Sequence, residues 1–202
     1  MPDTHAAVQT IRSGAKGEPA LLVSTTSNYD WLYNDWGSGA SMDVSIFRPT
    51  PTDTTFWSIG DYAQGNYGEP TGTSIIVKAI DDDPQSPLIK APSRYTLVWK
   101  DKGSWGKYDG SIWAPVAPDG YVTIGHVGQK GYDTPAPRYA CIRYDLAQAL
   151  ASKDVTDLIW SDHMSRAPTD VSLWMLPGVA NAFVSQANYN PWHGTAYKLK
   201  AV

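Results

Sequence analysis

The chain has 202 residues, a formal net charge of -4, nine Trp, twelve Tyr, seventeen Gly and fifteen Pro, and only 18% charged residues. That aromatic, turn-rich balance excludes a disordered chain, and basic residues scattered along an acidic sequence exclude a phosphate-backbone partner, so no nucleic acid is expected. A single cysteine, Cys141, excludes an internal disulfide framework.

Residues 1 to about 19 read as a loose arm or an edge strand. The opening Met1-Pro2-Asp3-Thr4-His5-Ala6 has neither the basic start nor the apolar run of a secretory signal, and no stretch approaches the roughly 18 apolar residues of a membrane span. The expectation is a chain kept in the cytoplasm or released without a classical signal peptide.

Next comes a motif that recurs three times without a gap, an apolar residue, Asp-x7-Asp-x-Ser, then an apolar and an aromatic residue. The first copy runs Trp31-Leu32-Tyr33-Asn34-Asp35-Trp36-Gly37-Ser38-Gly39 to Asp43-Val44-Ser45-Ile46-Phe47. The second runs Leu97-Val98-Trp99-Lys100-Asp101-Lys102-Gly103-Ser104-Trp105 to Asp109-Gly110-Ser111-Ile112-Trp113. The third runs Leu158-Ile159-Trp160-Ser161-Asp162-His163-Met164-Ser165-Arg166 to Asp170-Val171-Ser172-Leu173-Trp174. Likeness extends past the motif, since Pro49 matches Pro115, Ile59-Gly60 matches Ile124-Gly125, and Gly72-Thr73 matches Gly194-Thr195. Each copy is therefore a whole unit, and the repeats span about 20–81, 93–146 and 155–202 of a single domain, 1–202.

The segment 80–87, with three aspartates and two prolines, reads as a surface link between the first two units. In the second unit, residues 95–99, 111–113, 121–124 and 139–144 are rich in β-branched and aromatic residues with Gly, Pro and Asp between them, which predicts about four strands per unit. Residues 146–151 are the one helical stretch the periodicity predicts. Three four-stranded units predict an all-β, pseudo-threefold β-prism-like domain, with a β-trefoil or a β-sandwich as alternatives. The motif aspartates are then expected in places related by rotation of about 120° in such an arrangement.

The segments Asn34-Asp35-Trp36-Gly37-Ser38-Gly39-Ala40 and Asp43-Val44-Ser45-Ile46-Phe47-Arg48-Pro49, with Asp109-Gly110-Ser111-Ile112-Trp113-Ala114-Pro115 and Pro118-Asp119-Gly120-Tyr121-Val122-Thr123-Ile124-Gly125, resemble the vacuolar protein sorting-associated protein 62 family. They also look like the adaptor-binding repeats of the large vacuolar protein sorting 13 lipid-transfer proteins. The resemblance covers most of residues 29–202 and implies a β-rich, non-enzymatic recognition module whose repeat relatives bind short peptides. The third copy departs from the pattern, with Met164, Arg166 and Ala167 where glycines would stand.

An aspartate at a strand end can accept hydrogen bonds from nearby backbone N–H groups and tie down a turn, which a threefold repeat needs three times. Alternatively Asp35 with Asp43, and Asp101 with Asp109, could converge as hard oxygen ligands for calcium, although neither spacing nor a glutamate matches a known calcium loop. The Gly37-Ser38-Gly39 turn can supply positive φ angles, or let a ligand approach backbone N–H groups. Trp36 and Trp105 sit in these turns, where an exposed indole beside a carboxylate could hold a sugar. Candidate ligand-binding residues are therefore Asp35, Trp36, Gly37, Ser38, Gly39, Asp43, Asp101, Gly103, Trp105 and Asp109. Trp99, Trp113, Trp160 and Trp174 follow the strand pattern and are expected in the core.

The four histidines share no metal-ligand spacing, and no Ser, Cys or Lys lies in a nucleophile motif, so no metal, no cofactor and no enzyme activity are expected. The reading is a lectin-like module that binds a glycan or lipid head group at a cell surface, with three shallow sites acting together and a toxin or defence component as one setting for it; the alternative is a peptide-binding adaptor module in membrane trafficking.

Overall fold

The structure, a computed structural model, describes residues 9–12, 17–136 and 138–200, with Arg12 placed by its backbone only. Most of the expected N-terminal arm lies outside the described residues. The first unit contributes β1 (Gln9–Arg12), β2 (Ala20–Thr26), β3 (Tyr29–Asn34), β4 (Ser45–Pro49), β5 (Trp57–Ser58), β6 (Tyr62–Gln64) and β7 (Ser74–Ile80). The second contributes β8 (Ile89–Lys90), β9 (Arg94–Lys100), β10 (Gly110–Val116), β11 (Tyr121–Val122), β12 (Val127–Lys130) and β13 (Cys141–Arg143). The third, with the segment leading into it, contributes β14 (Ala147–Leu150), β15 (Leu158–Ser161), β16 (Ser172–Met175), β17 (Phe183–Gln186) and β18 (Ala196–Leu199).

Each motif folds as a three-stranded antiparallel sheet, β3-β4-β6, β9-β10-β12 and β15-β16-β17, with the Asp-x-Ser strand in the middle. The hairpins superimpose in register down to their defects. Trp31, Leu97 and Leu158 pair with Phe47, Trp113 and Trp174, and in each the next residue, Leu32, Val98 or Ile159, is bulged out of the ladder. A bulge adds one residue to one strand and raises the local twist. The remaining strands form β1-β2-β7-β5, β11-β13-β8 and β14-β18. The strands of a unit, expected to number about four, are thus divided between two small sheets, and no unit is a single sheet.

The helix expected at 146–151 is also corrected. Ala147–Leu150 is strand β14, paired antiparallel with β18, and only a 3-10 turn at Tyr144–Leu146 precedes it. Short alanine-rich segments favour helix weakly, and a four-residue stretch too short to sustain a helix gains ladder bonds to β18 instead.

Two cores result. One gathers Tyr33, Ile46, Trp99, Ile112, Trp160 and Leu173 from the three motif sheets, and the other gathers Leu21, Val77, Leu88, Ile142, Leu146 and Ala196 from the remaining sheets. Trp99, Trp113, Trp160 and Trp174 are all buried, as the strand pattern predicts. Where the units meet backbone to backbone the residues are small. A Cβ on Gly60 would stand 2.7 Å from the Gly125 Cα, and one on Gly125 would stand 3.5 Å from the Ala182 Cβ. At that meeting the Asp61 N–H donates to the His126 carbonyl at 3.0 Å and the His126 N–H to the Phe183 carbonyl at 2.8 Å.

Candidate functional site

The motif turns are built alike at their base. Asp35, Asp101 and Asp162 accept the backbone N–H of Val44, Gly110 and Val171 at 2.9, 3.0 and 2.8 Å, closing the loop across its mouth. Their carbonyls accept the N–H of Ser38, Ser104 and Ser165 at 2.9, 2.7 and 2.7 Å. Those serine hydroxyls in turn accept the N–H of Ala40, Gly106 and Ala167. Gly37, Gly103 and Met164 occupy one equivalent position and all have positive φ, at 85°, 94° and 68°.

A third repeated element was not read from the sequence. Tyr67, Tyr132 and Tyr189 donate to Asp35, Asp101 and Asp162, each at 2.9 Å, and the Tyr132 hydroxyl also lies 3.0 Å from Asp109. Each phenol sits beside both aspartates of its pair, which gives the recurrence of the second aspartate a structural reason. The signal was present as Gln-x-x-Tyr, in Gln64 to Tyr67, Gln129 to Tyr132 and Gln186 to Tyr189.

The same aspartates also connect the units. The Trp99 indole N–H donates to Asp162 at 2.9 Å, and the Trp160 indole N–H donates to Asp35 at 3.0 Å. Unit two thus binds unit three, and unit three binds unit one. The matching residue in unit one is Tyr33, whose buried hydroxyl has no hydrogen-bond partner among the described residues. Burial raises the pKa of all three aspartates, against the opposing pull of their donors. Asp35 and Asp101 are therefore buried and occupied by internal partners, as is Ser38, while Trp36, Gly37, Gly39, Asp43, Gly103, Trp105 and Asp109 are exposed. Any ligand of these turns meets the second group.

The tips converge. The Ser41 N–H donates to the His163 carbonyl at 2.9 Å, and the Lys107 N–H donates to the Trp36 carbonyl at 2.8 Å. The equivalent third residue is Pro168, which has no N–H to give. The three turns therefore form one surface and not three separate sites. It displays Trp36 at 55% exposure, Trp105 at 77% and Met164 at 69%. Trp36 packs on Tyr67 at 5.2 Å, and the Arg166 guanidinium stands 4.3 Å from the centre of the Trp105 ring. Trp105 holds its ring there from a left-handed backbone, φ 64°, at the position where unit one has Gly39.

The family model described as vacuolar protein sorting-associated protein 62 matches residues 12–186. No curated protein matches the sequence. The crystal structure of GNIP1Aa from Chromobacterium piscinae is similar, with a TM-score of 0.68 and 29% identity over 86% of this chain and 34% of that one. The chain accordingly spans about a third of the length of GNIP1Aa. All three motif copies lie within the matched span, and the chain belongs to the vacuolar protein sorting-associated protein 62 family.

Proposed function

We propose that the chain is a non-enzymatic recognition module that uses the converged turn tips to bind a glycan or lipid head group at a cell surface. The observation that carries this reading is Trp105. A bulky residue in the left-handed region costs of order 1 kcal/mol or more, and placing the ring in water costs further, so stability alone gives no reason for tryptophan there. An indole flanked by a guanidinium offers an apolar face to sugar C–H groups or lipid methylenes and a cation to a neighbouring anionic group. Trp36 and Met164 extend that surface. We further propose that the three units are related by a pseudo-threefold axis in a β-prism-like domain, a reading supported by the matching bulges and by the head-to-tail Trp-to-Asp bonds.

A glycan array together with flotation of zwitterionic and anionic vesicles tests the function. Retention on one of these surfaces, lost in Trp36→Ala with Trp105→Ala while the thermal midpoint is kept, supports the reading. Retention on neither surface, or binding that survives both substitutions, overturns it. The adaptor alternative draws on the edge strands β9 and β15, where Leu97 and Leu158 stand exposed beside unpaired backbone.

A further inference from the structure

Away from the tips, a cleft of about 350 Å³ opens between β3 and β4 of unit one and β12 of unit two, lined by Asp30, Trp31, Leu32, Arg48, Gln129 and Lys130. Asp30 and Arg48 are cross-strand partners in the β3–β4 ladder. The Arg48 side chain is held from behind. Its Nε donates to the Tyr139 hydroxyl at 3.0 Å and an NH2 to the Gln129 side-chain oxygen at 3.1 Å. Tyr139 in turn donates to the fully buried Asp61, whose second oxygen takes the Gly128 N–H at 2.8 Å. Across the cleft the Lys130 ammonium lies 5.1 Å from the centre of the Trp31 ring, which Tyr108 buttresses edge-on at 4.8 Å.

The repeat supplies an internal control for this cleft. By the hairpin registers, the junction of units two and three has Thr96, Leu97, Ala114, Gln186 and Ala187 in the corresponding places, and the junction of units three and one has Asp157, Leu158, Met175, Gln64 and Gly65. Glutamine alone recurs at all three. The architecture therefore requires the glutamine and does not require the two cations or the indole. Arg48 is half-buried and Lys130 exposed on the walls of this one cleft, so the guanidinium carries a desolvation cost that the other two junctions, which lack both cations, do not carry.

We propose that this cleft binds a small anionic sugar, with the carboxylate or phosphate of the sugar between Arg48 and Lys130, a ring hydroxyl donating to Asp30, and another accepting from the Gln129 amide. Among the lining residues the two cations outnumber the one carboxylate, and burial pushes the Asp61 carboxyl behind Arg48 towards its neutral form, so the cleft favours an anion. A bare inorganic anion matches the cations but meets Asp30 as a like charge. A neutral sugar satisfies Asp30 and leaves both cations without a counter-charge. This site goes beyond the tip reading and does not rest on it.

Titration of the full chain with glucuronate, glucose 6-phosphate, glucose and inorganic phosphate, followed by NMR shifts, tests the assignment. At least one of the two sugar anions is expected to bind, more weakly as salt rises, with glucose and phosphate about tenfold weaker or worse; glucuronate and glucose 6-phosphate separate the carboxylate from the phosphate source. Lys130→Gln, at an exposed position, lowers that affinity about tenfold, the size of one charge-assisted bond. Asp30→Asn raises binding of inorganic phosphate, and Trp36→Ala with Trp105→Ala leaves the cleft unaffected. Failure of both sugar anions to bind, equal binding of glucose or phosphate, or undiminished binding in Lys130→Gln overturns the proposal.

Discussion

The motif turns have a base and a tip, and the two behave oppositely across the three copies. At the base the same aspartate, serine and tyrosine make the same bonds each time, with lengths that agree within a few tenths of an ångström. At the tip Gly39, Trp105 and Arg166 share one position, and Trp36, Lys102 and His163 share another. What recurs three times is what closes the chain around its own backbone. What varies is free to face something else, and the same reasoning separates the cleft of units one and two from its two plain counterparts.

The comparison breaks at one place in the base, and that place gives the largest expected effect. Val44 and Val171 carry side chains where unit two has Gly110, because a Cβ on Gly110 would stand 2.1 Å from the Tyr33 ring. Gly110→Ala is therefore expected to cost about 3 kcal/mol or more in urea unfolding, although two copies of the same turn carry valine there. Combining it with Tyr33→Ala should recover part of that loss, since the two changes share one contact. Simple additivity of the two costs would show that the clash is relieved elsewhere.

Next in size is the ring of bonds between units. Trp160→Phe leaves the buried Asp35 carboxylate short of a donor and removes part of a buried indole, which together cost about 2–4 kcal/mol. Tyr33→Phe occupies the equivalent place and should change stability by less than about 0.5 kcal/mol, because the hydroxyl it removes is buried without a partner. Equal costs for the two substitutions would mean that unit one bonds to unit two as the others bond to each other.

Much of the base was legible in the sequence, because a residue fixed by backbone geometry must recur with the backbone. Asp35, Asp101 and Asp162 and the buried tryptophans follow from that rule, whereas the exposure of Trp36 and Trp105 was read from their place in the turns and not from recurrence. The tyrosines escaped because they return from a different strand, 32, 31 and 27 residues after their aspartates, so loop drift hides the pairing. The division of each unit into two sheets escaped for a related reason: pairing partners such as β14 and β18 are set by long-range register, which a short alanine-rich stretch does not announce. The convergence of the three tips rests on bonds such as Ser41 to His163, between residues that no local pattern connects.

A smaller effect concerns Asp61, which aligns with His126 and Phe183 and so belongs to the variable set while lying fully buried. Burial pushes its carboxyl from 3.8 up to about 7, against the opposing pull of Arg48, Tyr139 and Gly128. Folded Asp61 then keeps its proton where the unfolded chain has lost it, so its contribution is complete below about pH 4 and is lost as pH rises through about 7. The stability of the wild type minus that of Asp61→Asn should fall across that window in unfolding titrations. A difference that rises instead would show that Arg48 and the two hydrogen-bond donors hold Asp61 ionised.

The smallest change tests the tip itself. Met164 has φ 68° and is largely exposed, at the position where units one and two have Gly37 and Gly103. Glycine enters the left-handed region without the Cβ penalty, so Met164→Gly should stabilise the chain by about 0.5–1 kcal/mol, less the modest entropy glycine returns to the unfolded state. If methionine is present for stability, through a contact that outweighs its backbone strain, the substitution will instead lower the unfolding midpoint. If it is present to face a surface, the variant will be more stable and will bind vesicles or glycans less well than the wild type. A gain in stability with unchanged binding would remove Met164 from the recognition surface and leave that role to Trp36, Trp105 and Arg166.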